Sequence, residues 1–395
     1  MTKKINVEKL FLIAALFPFV SFYPIGTDVQ PLAGIFAILV ILKYIFNHAT
    51  IKREFIFLIG ISFIMIFYIN PFEMDVVDIK WGKSLSLFVG VVTIVAFFYA
   101  KKFFTIKIFK YTVYSYFTFS ILMLIQPDVF LEIQSHFVRH INSTNIYGAR
   151  GIATFSTEPG MFAGLLIAFL ILNDYFLNFD KQSKKSYILH VLLIVIMLYL
   201  TKSGTGYLYF LIYLFIKSWS LKNKKFKYSL YMIGIILIYI LYNINISHDV
   251  SRGLYVIKEL LHNPMEYILR DQSIFTRVIA FTIGIQSILY YPFGVGISDV
   301  HMHVWMIIEG SQFLMSFPKF EVGGNTYLVS AFSNLTVRYG LFWWALFYYL
   351  FFRISNTSLI ARIFAIIFIT FSYSAAFPLI WILLYLNNNE KQKDL

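Results

Sequence analysis

Residues 148–177 have the sequence GARGIATFSTEPGMFAGLLIAFLILNDYFL, in which a polar edge leads into a long apolar run. Between Met161 and Leu172 every residue is apolar or glycine. Such a run predicts a helix that crosses a lipid bilayer, which we place at about 158–177. Arg150 and Glu158 lie at the entrance to this helix, and ionisable groups at the edge of an apolar span point to function.

The composition extends this interpretation to the whole chain. The 395 residues are 59% hydrophobic and 13% charged, which leaves too little polar surface to cover a water-soluble globule. Backbone groups in lipid must bond internally, and the apolar runs lack the strict alternation of a β-barrel. We therefore predict an all-α polytopic membrane protein. The chain has no cysteine, which excludes disulfides, a thiol nucleophile and a cysteine-based metal site.

The net charge of +13 does not indicate a nucleic-acid partner, because the cations form short blocks in alternate loops between the apolar runs. These blocks are Lys52–Arg53, Lys101–Lys110, Lys181–Lys185 and Lys222–Lys227. Since cytoplasmic loops carry excess Lys and Arg, this pattern orients the chain. The apolar runs between these blocks predict spans at 10–25, 31–46, 54–70, 84–100, 111–126, 158–177, 187–201, 205–217, 228–245 and 327–353.

The last apolar run, 359–386, is long for a single span, and Ser372, Ser374 and Pro378 favour a turn inside it. Two short spans here give about twelve in total with both termini cytoplasmic, which Lys391 and Lys393 in the tail favour; a single span gives eleven. The predicted regions are 1–126 (N-terminal spans), 127–157 (outer loop), 158–245 (central spans), 246–325 (large outer loop) and 326–395 (C-terminal spans and tail).

The large outer loop contains two predicted amphipathic helices. Leu254, Ile257, Leu260 and Leu261 recur at helical spacing. A second helix runs from Ile274 to Tyr291 and is stopped by Pro292.

Six arginines fall on the predicted outer side, against the usual charge bias: Arg139, Arg150, Arg252, Arg270, Arg277 and Arg338. A guanidinium is always charged and binds phosphate with two parallel hydrogen bonds, so a phosphate-bearing ligand at the outer membrane edge would account for them. Arg139 and Arg270 also fit solvated loops, and Arg252 also fits an ion pair with Asp249. Arg150, Arg277 and Arg338 adjoin apolar helices, which favours function.

Three other polar positions have two interpretations each. Glu158 precedes Pro159, which suits the first position of a helix, so its carboxylate either caps that helix or serves as a base or as a partner of Arg150. Lys202, between two spans, either extends to the membrane surface or contacts a ligand. His301 and His303 have a spacing that suits metal binding from a strand, but solvated loop histidines fit better without a third ligand.

Four segments resemble bacterial O-antigen polymerases (the Wzy type), in order and spacing over about residues 140–350. They are ARGIATFSTEPGMFAGLL (149–166), LTKSGTGYLYFLI (200–212), TRVIAFTIGIQSILYYPFGVGISD (276–299) and GGNTYLVSAFSNLTVRYGLFWWALF (323–347). The resemblance is to the Arg…Phe-x-x-Glu-Pro stretch that opens a mid-chain span, to a later Ser-x-Thr-Gly boundary, to an arginine-led periplasmic helix, and to the Asn-x-Tyr-Leu run.

This resemblance implies a glycosyltransferase of GT-C-like architecture in the bacterial inner membrane, independent of metal and cofactor. It would transfer a growing glycan from undecaprenyl diphosphate to the next lipid-linked repeat unit, with membrane lipids and a chain-length regulator protein as further partners. Arg150 and Arg277 would hold the diphosphate, and Glu158 would orient an arginine or accept the acceptor proton. The expected substrate contacts are Arg338, Asn325, Arg252 and Lys202.

Two other functions are considered. Related O-antigen ligases, and many polymerases, carry a histidine before the Asn of Asn-x-Tyr-Leu, where this chain has Gly324. This departure argues against a ligase and leaves the base for the acceptor unassigned. A flippase for the same lipid-linked unit is the main alternative of another class. Transporters usually place polar residues in mid-helix and have short loops, whereas here the polar elaboration is concentrated in outer loops.

Overall fold

The computed structural model describes residues 6–27, 29–47, 51–70, 81–139, 151–179, 182–219, 252–296, 300–315, 330–355 and 357–386, with positions 227, 228, 232, 236, 239 and 243. Within these residues the regular structure is helical, apart from one isolated antiparallel bridge between Ile69 and Gly296. The predicted all-α class is confirmed for this part of the chain. The predicted span 228–245 lies mostly outside the described residues.

The helices of the first half follow the predicted spans, with one addition before residue 151. They are α1 (Val7–Leu16), α2 (Leu32–Phe46), α3 (Arg53–Ile66), α4 (Trp81–Ala100), α5 (Ile106–Ile125), α6 (Pro127–Ser135), α7 (Pro159–Phe179), α8 (Lys184–Leu200) and α9 (Gly204–Trp219). Helix α6 lies in the predicted outer loop and was not predicted. Its signals are a proline at the first helical position and Asp128 in the first turn.

The second half contains shorter helices. They are α10 (Arg252–His262), α11 (Pro264–Arg270), α12 (Gln272–Tyr290), α13 (Val300–Gly310), α14 (Gln312–Met315), α15 (Ala331–Tyr339), α16 (Leu341–Tyr348, extended by a π-helical segment Tyr349–Ile354), α17 (Leu359–Ile367, extended by a π-helical segment Phe368–Ser372) and α18 (Pro378–Leu384). The two helices predicted for the large outer loop are α10 and α12.

Within the residues that the structure describes, three helices are long and apolar enough to cross a membrane: Ser84–Phe103, Ile106–Ile125 and Pro159–Phe179. Shorter apolar helices cover Leu32–Phe46, Ile274–Tyr290, Leu341–Ile354 and Leu359–Ser372. Length and composition therefore mark a membrane protein. Helix α7 is the central one, because every side chain from Phe162 to Leu172 is buried against its neighbours, which include α8, α9 and α18.

The first predicted span is wrong in its second half. Helix α1 ends at Leu16, nine residues before the predicted end at 25. Pro18 has no backbone N–H to continue the helix. The chain then forms a compact turn around Gln30, whose side-chain amide donates to the carbonyls of Thr27 at 2.7 Å and Ile25 at 3.3 Å.

The predicted span 327–353 is also not one helix. Gly340 has φ +51°, a value that L side chains rarely adopt, and it separates α15 from α16. Phe332 of α15 packs against Phe347 of α16, so the two helices fold back on each other. The hydropathy pattern does not reveal this break, because it does not record backbone direction.

The run 359–386 breaks where the sequence predicted a turn. The π-helical end of α17 stops at Ser372, and α18 begins at Pro378 after an extended connection. The apex at 373–377 lies beside the start of α7, where Tyr373 Oη donates to the carbonyl of Met161 at 2.6 Å. Tyr385, after α18, packs against Phe98 beside Lys101, so the chain returns to the end of the bundle that carries basic residues. We name residues 359–386 the C-terminal hairpin.

Candidate functional site

A cavity of about 650 Å³ lies between α7, α9, α10, α12 and the C-terminal hairpin. Most of its wall is apolar, from Leu208, Leu211, Ile212, Val256, Ile257, Leu260, Leu261, Ile274, Val278, Ile367 and Phe371. Charged side chains also line it: Glu158, Lys202, Asp271 and Arg277. The cavity therefore combines an apolar wall with charged groups of both signs, as an amphipathic ligand requires.

Glu158 lies at the mouth of α7. Its backbone carbonyl accepts the first helical hydrogen bond, from the Phe162 N–H at 3.0 Å, so Glu158 occupies the capping position. Its carboxylate, however, makes no hydrogen bond or ion pair with any residue in the described part of the chain. The lack of a capping bond from this carboxylate in the described chain argues against the helix-cap interpretation, and a role as a base or as a partner of Arg150 stays a prediction.

Lys202 projects from the turn that joins α8 to α9. Its φ of +48° is unusual for a residue with a side chain, and such positions concentrate at functional sites. The turn is held on both sides: Thr201 Oγ1 donates to the Leu198 carbonyl at 2.7 Å, and Ser203 Oγ accepts from the Gly206 N–H at 3.2 Å. The lysine side chain is exposed and lines the cavity.

Arg277 lies in the second turn of α12 and faces the apex of the C-terminal hairpin. Its Nε donates to the backbone carbonyl of Phe371 at 3.1 Å. That carbonyl belongs to the π-helical end of the first arm, where backbone groups depart from the regular α-helical pattern. One of the five guanidinium N–H donors thus fixes the side chain at the cavity wall.

Helix α10 supplies the apolar face predicted from its spacing. Val256 and Ile257 are buried, and with Leu260 and Leu261 they line the cavity opposite α9. The polar positions Lys258 and Glu259 are not among the cavity-lining residues. An amphipathic helix here covers the apolar wall rather than standing free in solvent.

Asp271 is a cavity residue that sequence reasoning missed. Its Oδ1 accepts from the Ile274 N–H at 3.0 Å, and its Oδ2 accepts from the Tyr267 hydroxyl at 3.3 Å. An aspartate just before a helical apolar run is a typical capping signal, which is how this residue is identified in the sequence. Both oxygens of the Asp271 carboxylate therefore accept hydrogen bonds within the protein, whereas the Glu158 carboxylate accepts none in the described chain.

Of the other predicted site residues, Arg338 is the one whose side chain the structure describes, and it is not brought to the cavity. Arg338, 2% exposed, donates from Nε to Asn334 Oδ1 at 3.0 Å and from Nη1 to the Gly296 carbonyl at 3.2 Å. It links α15 to the chain that follows α12 and does not line the cavity. Arg252 begins α10, but its side chain lies outside the described part, as do Arg150 and Asn325.

No group of three or more His, Asp or Glu side chains in the described ranges is arranged to hold a metal ion. His303 is largely buried and its ring packs edge-on against Tyr291 at 5.1 Å between centroids. This contact gives His303 a packing role. The side chain of His301 lies outside the described part.

The geometry defines a class: a helical membrane protein with an amphipathic cavity at one end of its central helix. Comparisons with protein-family models, with curated proteins and with solved structures give no match for this chain.

Proposed function

We propose that the chain is a polysaccharide polymerase of the O-antigen type. It would transfer a growing glycan from undecaprenyl diphosphate to the next lipid-linked repeat unit at the outer face of a bacterial inner membrane. The observation that carries this proposal is the cavity in which an apolar wall meets Glu158, Lys202 and Arg277. A lipid diphosphate has the matching chemistry, since its tail is apolar and its head is anionic.

The chemistry of transfer gives each side chain a task. An acceptor hydroxyl attacks the anomeric carbon of the glycan, and the bond from that carbon to the diphosphate oxygen breaks. The electron pair leaves with the diphosphate, whose growing negative charge is stabilised by Arg277 and Lys202 in a site of low dielectric constant. Glu158 accepts the proton of the acceptor hydroxyl as general base.

Arg150 remains in the proposal as a sequence-based prediction of a second arginine for the diphosphate. The described chain resumes at Gly151, and the backbone N–H of the next residue, Ile152, donates to the Leu200 carbonyl at 3.1 Å. Leu200 is two residues from Lys202, so this segment enters beside the cavity rim. The twelve-span GT-C-like architecture and cytoplasmic termini belong to the same proposal.

A flippase for the same lipid-linked unit is the second candidate. It is favoured by a partly exposed ion pair between two helices, in which Lys217 of α9 contacts Asp174 Oδ1 of α7, and by the discontinuous C-terminal hairpin. Tyr187 donates to the same carboxylate at 2.8 Å and Tyr213 at 2.7 Å. This set of bonds holds α7, α8 and α9 together, which a static enzyme needs equally.

The test is the surface glycan of a host in which this gene is deleted and then restored. For a polymerase, deletion collapses the glycan ladder on a gel to lipid-A core plus one repeat unit, and the wild-type gene restores the ladder. Restoration with Arg277→Gln should fail, since losing one preorganised donor slows such reactions about 10²–10³-fold.

Other outcomes reject the proposal. Loss of even the single-unit band, with lipid-linked units stalled on the inner leaflet, would identify a flippase. Loss of that band while full-length glycan accumulates on the carrier lipid outside would identify a ligase. An unchanged ladder would exclude any role in this assembly.

A further inference from the structure

The position of Arg277 in the cavity depends on its hydrogen bond to a backbone carbonyl, and a side chain of α9 holds the residue next to that carbonyl. Phe371, whose carbonyl accepts from Arg277 Nε at 3.1 Å, immediately precedes Ser372 at the end of the first arm of the C-terminal hairpin. Ser372 Oγ shares a hydrogen bond with Tyr209 Oη of α9. The chain of contacts therefore runs from Tyr209 to Ser372, from Ser372 to Phe371, and from Phe371 to Arg277.

We propose that Tyr209 is a positioning residue that sets the location of Arg277 in the cavity through the hairpin apex. This inference rests on the proposed function, because it makes Tyr209 a determinant of how the site holds a diphosphate lipid. Tyr209 is 4% exposed and lines the cavity. Its ring packs edge-on against Phe368 at 5.8 Å, and Phe364 lies at 6.4 Å.

A break in an apolar helix makes such positioning necessary. The residues after Ser372 leave the helical path, so side-chain partners must hold the apex carbonyls in one orientation. Tyr373 is fixed to α7 through the Met161 carbonyl at 2.6 Å, and its backbone N–H donates to the Phe368 carbonyl at 2.8 Å. The Tyr209 hydroxyl supplies the corresponding bond from α9, at Ser372, next to the Phe371 carbonyl that accepts from Arg277.

Tyr213 offers a matched control. It lies one turn further along α9, is also 4% exposed, and its hydroxyl donates to Asp174 Oδ2 at 2.7 Å. It does not line the cavity. Tyr209→Phe and Tyr213→Phe each remove one buried hydroxyl from the same helix and leave an aromatic ring in place.

The experiment measures the affinity of the purified full chain, in lipid nanodiscs, for undecaprenyl diphosphate. We expect Tyr209→Phe to weaken binding by up to about tenfold, because the effect on Arg277 cannot exceed the contribution of the one hydrogen bond that is lost. Tyr213→Phe should leave the affinity unchanged. In an Arg277→Gln background, Tyr209→Phe should cause no further loss, because both substitutions act on the same interaction.

Wild-type affinity in Tyr209→Phe, or losses that add in the double variant, would overturn the inference while leaving the proposed function standing. If the wild-type chain binds no diphosphate lipid, the proposed function fails. Amide hydrogen exchange across 368–377, without lipid, then decides on Tyr209 alone. Exchange should rise in Tyr209→Phe and stay at the wild-type level in Tyr213→Phe, and equal exchange in both variants rejects the positioning role.

Discussion

Glu158 combines a capping position with a carboxylate that bonds to nothing in the described chain. We expect Glu158→Gln to slow chain extension about 10²–10⁴-fold, the usual contribution of a general base. The melting temperature should stay unchanged, since no hydrogen bond or ion pair of that carboxylate within the described ranges is lost. The rate is measured from the lengthening of surface glycan after a pulse of labelled sugar.

Glu158→Asp is the matched control, because it keeps the carboxylate but withdraws it by one methylene. It should retain part of the rate. Equal loss in both variants would indicate that geometry alone matters, and full activity in Glu158→Gln would remove Glu158 from the mechanism.

Arg338 is expected to stabilise the fold without contacting substrate. Arg338→Met leaves the Gly296 carbonyl and the Asn334 amide oxygen buried without this donor, which costs about 1–3 kcal/mol of stability. Thermal unfolding in detergent measures this loss. Arg353→Met, at an exposed arginine on the π-helical end of α16, should leave the melting temperature unchanged.

The folded fraction of Arg338→Met should bind undecaprenyl diphosphate with wild-type affinity. A specific loss of affinity at unchanged melting temperature would return Arg338 to the substrate-binding role that its sequence position suggested.

The charge pattern identified the residues of the site one at a time, and it was the family resemblance that grouped them in one site. Glu158, Lys202 and Arg277 each stand out because a charge adjoins an apolar run. Asp271 was missed because a capping aspartate looks like ordinary helix punctuation. Arg338 shared the sequence context of Arg277, and it is a structural arginine because it bonds to Asn334 on its own helix and to the Gly296 carbonyl, 42 residues away.

At the scale of elements, Gly340 decides the shape of the α15–α16 pair. A Cβ at this position would collide with the carbonyl of Pro292, and φ +51° is strained for any L side chain. We expect Gly340→Ala to destabilise the protein by about 1–2 kcal/mol from backbone strain alone. Lowered thermal stability in detergent measures this effect.

Gly60 provides the control for that substitution. It lies inside α3, and a Cβ there would meet nothing within 4 Å. Gly60→Ala should stabilise the protein by about 0.5–1 kcal/mol, because alanine is the better helix former. Destabilisation by both substitutions to the same extent would contradict a special role for the Gly340 backbone.

Helix existence followed from the sequence more reliably than helix breaks. The apolar runs of α2, α4 and α7 have clear polar borders, so their limits were predicted to within a few residues. The turn in the C-terminal hairpin was predicted because Ser372, Ser374 and Pro378 interrupt the run. The early end of α1 and the break at Gly340 were not predicted, although Pro18 and Gly340 are local breaking signals, because the hydropathy pattern does not record backbone direction.

For the whole molecule, a central buried helix with polar groups at one end predicts a defined orientation in the membrane. Helix α7 carries Glu158 at its start, and the basic ends of α3 and α4 lie beside Tyr385 at the end of the C-terminal hairpin. Helix α17 packs against α9 with Phe364 near Tyr213 and Phe368 near Tyr209, so the two helices run in opposite directions. The C-terminal hairpin therefore starts and finishes away from the cavity, and the end of its first arm, at Ile367 and Phe371, lines the cavity.

The chain has no native cysteine, which allows this orientation to be tested with single introduced ones. A membrane-impermeant maleimide on intact spheroplasts should label Phe22→Cys, which is 84% exposed in the connection after α1. It should label Lys184→Cys, at the start of α8, only after the spheroplasts are permeabilised. The same holds for Leu359→Cys, which is 66% exposed at the start of α17. This follows because Lys and Arg blocks are retained in the cytoplasm.

The tail decides between the two span counts. If the C-terminal hairpin returns to the side on which it starts, Lys393→Cys behaves like Leu359→Cys and is labelled after permeabilisation alone. Labelling of Lys393→Cys in intact spheroplasts would mean that residues 359–386 cross once, which gives eleven spans with an outer tail. Labelling of Lys184→Cys from outside would show that the orientation of the chain in the membrane is the reverse of the predicted one. The cavity would then open to the cytoplasm, where a polymerase of exported lipid-linked units has no substrate.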